Sequence, residues 1–375
     1  MNILKEKPFE YLRRMENGSQ FEAETVKNWY IARAYVLEKL KDVAFKPDSN
    51  AHLHVVINSD SPLMLSVARQ VALSAHYLNF QENDEDETCR NRTVITIVSR
   101  NPNIKEELMK EEFLCNLPKY CKYVNRNSKP ENSDSFIDIE IHIVDECPED
   151  NDNNMLFFSE EDVDAICKLK ASEGIDIYSI DTRKAAYARR IYSLGKVIDN
   201  LPAEDIHCAK RYALAIDVFQ YEKLKEKPQP LIDKKEWRNL NKVKEDLSNI
   251  FCTDCFESRK RGIQLCSNGD VKKEKELWEQ YNIILSRSEH ARWLVEKLIM
   301  GYSPFNEQQR FKDEVLFVDE KKKEQYRKSL KTLSKNPAHI DICSYTDLRR
   351  INPNDLKYDS FMMLAIPKKL EKVTS

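Results

Sequence analysis

The chain carries its densest group of chemically capable side chains at Ser288-Glu289-His290-Ala291-Arg292-Trp293, with Gly301-Tyr302 eight residues further on. Glu289, Arg292 and Trp293 recur at i, i+3 and i+4, so on a helix they share one face, with His290 at its edge. Such a set can bind. Trp293 and Tyr302 would form an aromatic wall, and the planar donor fork of Arg292 suits an anionic group such as phosphate. Glu289 would accept from a base, a sugar or a cation, and His290 would donate or accept according to its protonation. The same residues would serve equally as a buried ion pair beside a core tryptophan, and the residues alone leave both readings open. Catalysis has less support. Adjacent helical side chains point about 100° apart, so Glu289 does not orient His290 as a base. No Gly-x-Ser-x-Gly, His-Glu-x-x-His or Walker loop occurs, so no catalytic residue is assigned.

Helical periodicity of Ile284, Leu285, Leu294 and Leu298 places this group on a helix. Upstream, strands and helices alternate. Residues 21–43 read as a helix, packed either on the next domain or on a second copy. Strands follow at 53–57, 93–98, 136–144 and 175–180, and helices at 62–78, 104–113, 183–198 and 204–225. That alternation predicts an α/β, Rossmann-like parallel sheet followed by a mainly helical C-terminal region. The expected organisation is an N-terminal helical segment at 1–50 and an α/β domain at 51–200. A helical unit at 201–275, a second at 276–367 and a tail at 368–375 complete it.

The first strand-to-helix turn reads Asn58-Ser59-Asp60-Ser61 where a dinucleotide-binding fold needs Gly-x-Gly-x-x-Gly. Side chains there obstruct the approach of a pyrophosphate, and Asp60 repels it. Where a ribose-binding acid would stand, at the end of the second strand, the chain has Ser99-Arg100; Arg100 faces either a phosphate or solvent. Glycine is scarce, with 6 in 375 residues. The scaffold is therefore expected to have lost or remodelled its dinucleotide site, although a different nucleotide at the helix N-terminus stays open.

The C-terminal quarter resembles the RyR domain, the small helical module named after ryanodine receptors. The resemblance rests on Glu289-His290-Ala291-Arg292-Trp293, Gly301-Tyr302, Asn336-Pro337, Tyr345-Thr346-Asp347-Leu348 and Lys357-Tyr358-Asp359, in that order. Asn336 stands where the pattern has His and Tyr345 where it has Trp, and the loop at 305–335 is long. The entry at residues 53–62 is similar, more weakly, to the nucleotide-binding domains of potassium-uptake regulators. Trp237-Arg238-Asn239-Leu240 with Ser248-Asn249 is similar to a first, diverged RyR-like unit. The resemblance adds Tyr345 and Asp359 to the ligand-binding candidates and implies a sensor of nucleotide-type molecules in bacterial defence or signalling.

Lys+Arg 60 against Asp+Glu 63 gives a net charge of −3, so no global field favours nucleic acid or an anionic membrane. The runs Arg259-Lys260-Arg261 and Lys321-Lys322-Lys323 read as solvated faces. No apolar run approaches the ~20 residues of a membrane span, and residues 1–10 hold no signal-peptide core, so a cytoplasmic protein is expected. Ten scattered cysteines point to reduced thiols. The lone Cys252-x-x-Cys255, with Cys266 beyond it, lacks a second knuckle, so no metal is expected; the residues leave any cofactor unknown. Three functions remain. The first is a sensor binding a nucleotide-type small molecule. The second is a non-enzymatic interaction adaptor, and the third a cryptic nucleotide enzyme. A homo-oligomer or a partner protein would carry the output.

Overall fold

Short β-branched runs form the centre of the molecule: Ile139, Ile141 and Ile143 alternate with Glu140 and His142, so one face of that strand takes the isoleucines into the core. The computed structural model describes residues 20–82, 89–149, 154–163, 165, 243–317, 319–332, 336–353, 355–356 and 359. The expected strand at 175–180, the helices at 183–198 and 204–225, and Trp237 lie outside them.

Helix α1 (Gln20–Leu40) leads to β1 (His54–Ile57) and α2 (Pro62–Ser74). A short antiparallel ribbon, β2 (Gln81–Glu82) with β3 (Cys89–Arg90), precedes β4 (Thr93–Val98). Then come α3 (Ile104–Leu108), α4 (Leu117–Tyr120), β5 (Lys122–Asn125), β6 (Ile139–Val144) and β7 (Met155–Phe158). The sheet runs β5-β6-β4-β1-β7 with every pairing parallel. Its register is fixed by pairs such as Val55↔Ile95 and Ile95↔Ile141. Ile139, Ile141 and Ile143 are fully buried, each stabilising by about 1.5–3 kcal/mol. The chain runs from β1 to its neighbour β4, on to the edge strand β5, back to β6 between them, and then to the far side of β1 as β7. The topological switch point therefore lies between β1 and β7.

Two helices are shorter than the sequence predicts. The second was expected over 62–78 and ends at Ser74, because Thr93 Oγ takes the Ala75 carbonyl at 2.8 Å and His76 turns to Asp138 at 2.7 Å. The helix expected over 104–113 ends at Leu108, where the Leu114 N–H closes on the Leu108 carbonyl at 2.8 Å and Cys115 adopts φ 48°.

The helical region comprises α5 (Val243–Ser267), α6 (Val271–Gln280) and α7 (Asn282–Ile299), then β8 (Ser303–Pro304) and α8 (Glu307–Phe311). A π-helical turn at Lys312–Leu316, α9 (Glu320–Thr332), β9 (Ala338–His339) and α10 (Tyr345–Ile351) follow. α1 packs on the α/β unit of its own chain. Trp29, Tyr35 and Val36 join Met64, Val67 and Val71 of α2, the sheet isoleucines, and Leu294, Val295 and Leu298 of α7 in one buried cluster that extends to Ile342. α5 approaches closely because Gly262 has no side chain: a Cβ there would lie 2.7 Å from the Phe45 carbonyl oxygen. No helix among the described residues is long and apolar enough to cross a membrane.

Candidate functional site

Helix α7 carries the residues singled out in the sequence, and its end is fixed by its own chemistry. Gly301 adopts φ 81°, its N–H bonds the Leu298 carbonyl at 3.0 Å, and the Tyr302 N–H bonds the Lys297 carbonyl at 3.0 Å. This is a Schellman stop, which glycine makes without a Cβ penalty. The Asn116 side-chain amide then donates to the carbonyls of Gly301 (2.8 Å) and Tyr302 (3.0 Å). Tyr302 is thereby held inside the molecule with no exposure.

The charged residues of α7 form a closed chain. Glu289 Oε2 accepts from Arg259 Nη1 at 2.7 Å, and Glu289 Oε1 accepts from Arg292 Nε at 3.0 Å. Arg292 Nη1 continues to Glu296 Oε2 at 2.6 Å, and Lys297 Nζ to Glu296 Oε1 at 2.7 Å. All five are buried, with Arg292 only 1% exposed. Burial raises the pKa of the Glu289 carboxyl, but Arg292 and Arg259 outweigh it and hold the group below the ordinary range. Glu296 is held down at about 2, burial again being overcome by Lys297 and Arg292. The anions that Arg292 meets are thus Glu289 and Glu296, so an incoming phosphate would have to displace a carboxylate. Arg259 corrects the reading of its basic run as a solvated face. It is fully buried, and it also donates to Ser288 Oγ at 2.8 Å.

A second group lies beside this chain. His290 stacks near Trp293 (centroids 6.0 Å apart, planes 19°) and tilts against Tyr345 at 5.8 Å. His339 meets Trp293 edge-on at 5.0 Å and Tyr302 at 6.3 Å. The pairing of β8 with β9, Pro304↔His339, delivers His339 next to the Gly301-Tyr302 turn. Trp293 and His339 are partly buried, while Tyr302, His290 and Tyr345 are buried. Lys297 Nζ sits 5.5 Å from the centre of the Trp293 ring, in cation–π range.

Carboxylates ring this aromatic group. His290 Nδ1 lies 3.3 Å from Asp359 Oδ2, and His290 Nε2 lies 3.0 Å from the Cys343 carbonyl oxygen. Burial disfavours the charged imidazole, but Asp359 and the Cys343 carbonyl prevail and raise the His290 pKa. Burial raises Asp359 as well, against the pull of His290. Asp341, 3.7 Å from His339 Nδ1, is pushed up to about 6 by burial and by the neighbouring Asp355, although Asn352 Nδ2 donates to it at 2.9 Å.

The other candidate, the turn after β1, is occupied by its own side chains. Ser59 Oγ donates to Glu160 Oε1 at 3.0 Å, and Ser61 Oγ donates to the same oxygen. Ser61 also caps α2, accepting from the Met64 N–H at 3.4 Å. Ser99 Oγ donates to Asp60. Asn58 is exposed, and the exposed Arg100 lies 3.7 Å from Glu146. Glu160 follows β7, so these bonds tie together the two strands that flank the switch point, and a carboxylate stands near the helix N-terminus where a phosphate would sit.

Among the described residues no group of His, Cys, Asp and Glu is arranged to hold a metal ion. Cys255 is buried, its thiol pushed up to about 12 by burial, and its Sγ contacts the Leu73 carbonyl at 3.3 Å. The sequence singles out neither His339, Asp341 nor Glu82, and it presents Arg259 as a solvated charge. His339 carried a signal, standing two residues after the Asn336-Pro337 of the resemblance, and Glu296 falls at i+4 from Arg292. The chain finds no match among family models, curated proteins or solved structures.

Proposed function

We propose that the protein is a non-enzymatic sensor that binds a nucleotide-type small molecule at the aromatic–histidine group of its RyR-like region. The observation that carries this reading is the convergence of Trp293, His339, His290, Tyr302 and Tyr345, with ring centroids 5.0–6.3 Å apart in successive pairs. Of those rings Trp293 and His339 are the two not fully buried, the His339 side chain being 10% exposed. Aromatic faces stack on a base, and Asp341 and Asp359 supply acceptors for its amino edge. Arg292 is engaged by two carboxylates, so recognition centres on the base rather than on phosphate capture by that guanidinium. Bacterial defence or signalling is the setting that the resemblance implies.

Thermal shift of the full chain against mono-, di- and cyclic nucleotides tests the reading, with His339→Ala and Trp293→Phe beside wild type. A hundredfold excess over Kd should stabilise by about 2.7 kcal/mol. Loss of that shift in a folded His339→Ala supports the site. No shift with any member of the panel removes the reading.

The closure of the Glu289–Arg292–Glu296 chain favours a second reading, an interaction adaptor whose α7 cluster is core packing. In that case no nucleotide shifts the melting curve, and every α7 substitution acts on stability alone.

A further inference from the structure

Glu82 closes the short β2–β3 ribbon of the α/β unit, opposite Cys89, and its contacts lie 263 positions further along the chain. Both of its carboxylate oxygens accept from the backbone N–H of Tyr345, at 3.1 and 2.9 Å. Two positions earlier, the carbonyl of Cys343 meets His290 Nε2 at 3.0 Å. The segment that carries Tyr345 is therefore held from two sides, by the ribbon through an N–H and by α7 through a carbonyl. Ser344 Oγ, accepting from the Asp347 N–H at 3.0 Å, fixes the start of α10 between them.

Charged and titratable groups face this junction from each neighbouring element, with Arg310 from α8 and Asp347 and Arg349 from α10. Glu82 comes from the ribbon, and Arg287 and His290 from α7. Asp341 and Cys343 come from the β9–α10 turn, and Asp359 from beyond α10. Burial raises the Glu82 carboxyl, while the Tyr345 N–H, His290 and Arg287 favour its ionised form.

We infer that Glu82 is a positioning residue of the candidate site, setting where Tyr345 and His290 sit and coupling the sheet's ribbon to that site. The ligand-sensing role of the site rests on the reading above. The coupling itself does not require a ligand to be measured.

The test uses the full chain as wild type, Glu82→Gln and Glu82→Ala. Amide exchange at Tyr345 and the imidazole titration of His290 are followed by NMR. Glu82→Ala removes the acceptor and the charge, so Tyr345 should exchange at least about tenfold faster and the His290 pKa should fall. Glu82→Gln keeps an acceptor but no charge. It should leave Tyr345 protected within a few fold while His290 falls as it does in Glu82→Ala. That split separates positioning from simple destabilisation. If Glu82→Ala does not fold, the His290 shift in folded Glu82→Gln decides. An unmoved His290 in Glu82→Gln, or unchanged Tyr345 exchange in a folded Glu82→Ala, overturns the inference. A protein that binds no nucleotide yet shows the shifts keeps the coupling and loses only the sensor reading.

Discussion

Arg259 Nη1 lies 2.7 Å from Glu289 Oε2, joining α5 to α7 through two side chains withdrawn from water. Thirty positions separate them in sequence. Glu289 stands between two guanidiniums, Arg259 on one side and Arg292 on the other. Breaking a buried pair by removing one partner costs roughly 3–5 kcal/mol. The two ends should not respond equally. Arg259→Met leaves Glu289 still answered by Arg292, whereas Glu289→Gln leaves Arg259, Arg292 and Lys297 to share the charge of Glu296. Urea denaturation should therefore show Glu289→Gln as the more destabilised variant. Equal losses would mean that solvent screens this interior.

Gly301→Ala forces a Cβ onto a residue at φ 81°. A loss of about 1–2 kcal/mol is expected, read as a lower Tm. The same change should loosen Tyr302, whose carbonyl and N–H depend on that turn. Broadened aromatic resonances of Tyr302 would report it.

Gly262→Ala sets two effects against each other. In a helix, alanine is favoured over glycine by about 1 kcal/mol. Here its Cβ would sit 2.7 Å from the Phe45 carbonyl oxygen and 2.9 Å from Leu78 Cδ1. Leu78 can rotate away, but a backbone carbonyl cannot, so the substitution should destabilise. A raised Tm would show that α5 shifts off Phe45 without cost.

Asp341 gives a pH dependence with a definite sign. Its folded pKa of about 6 lies above that of an unfolded aspartate near 3.9, so the native state holds this proton more tightly. The stabilisation is complete below about pH 4 and is lost as the pH rises through 6. Asp341→Asn can still accept from Asn352 and carries no charge to bury. It should raise stability by on the order of 2 kcal/mol at pH 8 and change little at pH 4. Stabilisation of the same size at both pH values would defeat this account.

The sheet was legible where burial imposes one pattern. Strand 93–98 falls where the sequence puts it, and the alternating isoleucines of 136–144 mark β6, whose pairing starts at Ile139. β5 and β7 were missed because each is four residues long, half-buried at most positions, and flanked by polar sequence. Helix α7 was legible because its period and its chemistry coincide on Glu289, Arg292 and Trp293. The partners of those residues were not. Arg259 looks like any solvated arginine until α5 folds across Ser288, and Glu82 sits in an acidic stretch with nothing local to mark it.

The buried cluster that runs from Trp29 through the sheet to Leu298 and Ile342 has a thermodynamic consequence. An excised fragment starting at residue 276 would leave Leu294, Val295 and Leu298 facing solvent. It should aggregate or stay molten rather than behave as an independent module. The intact chain should instead lose its sheet and its C-terminal helix in a single calorimetric transition. Occupancy of one small site would then be registered by the cooperative melting of the whole molecule.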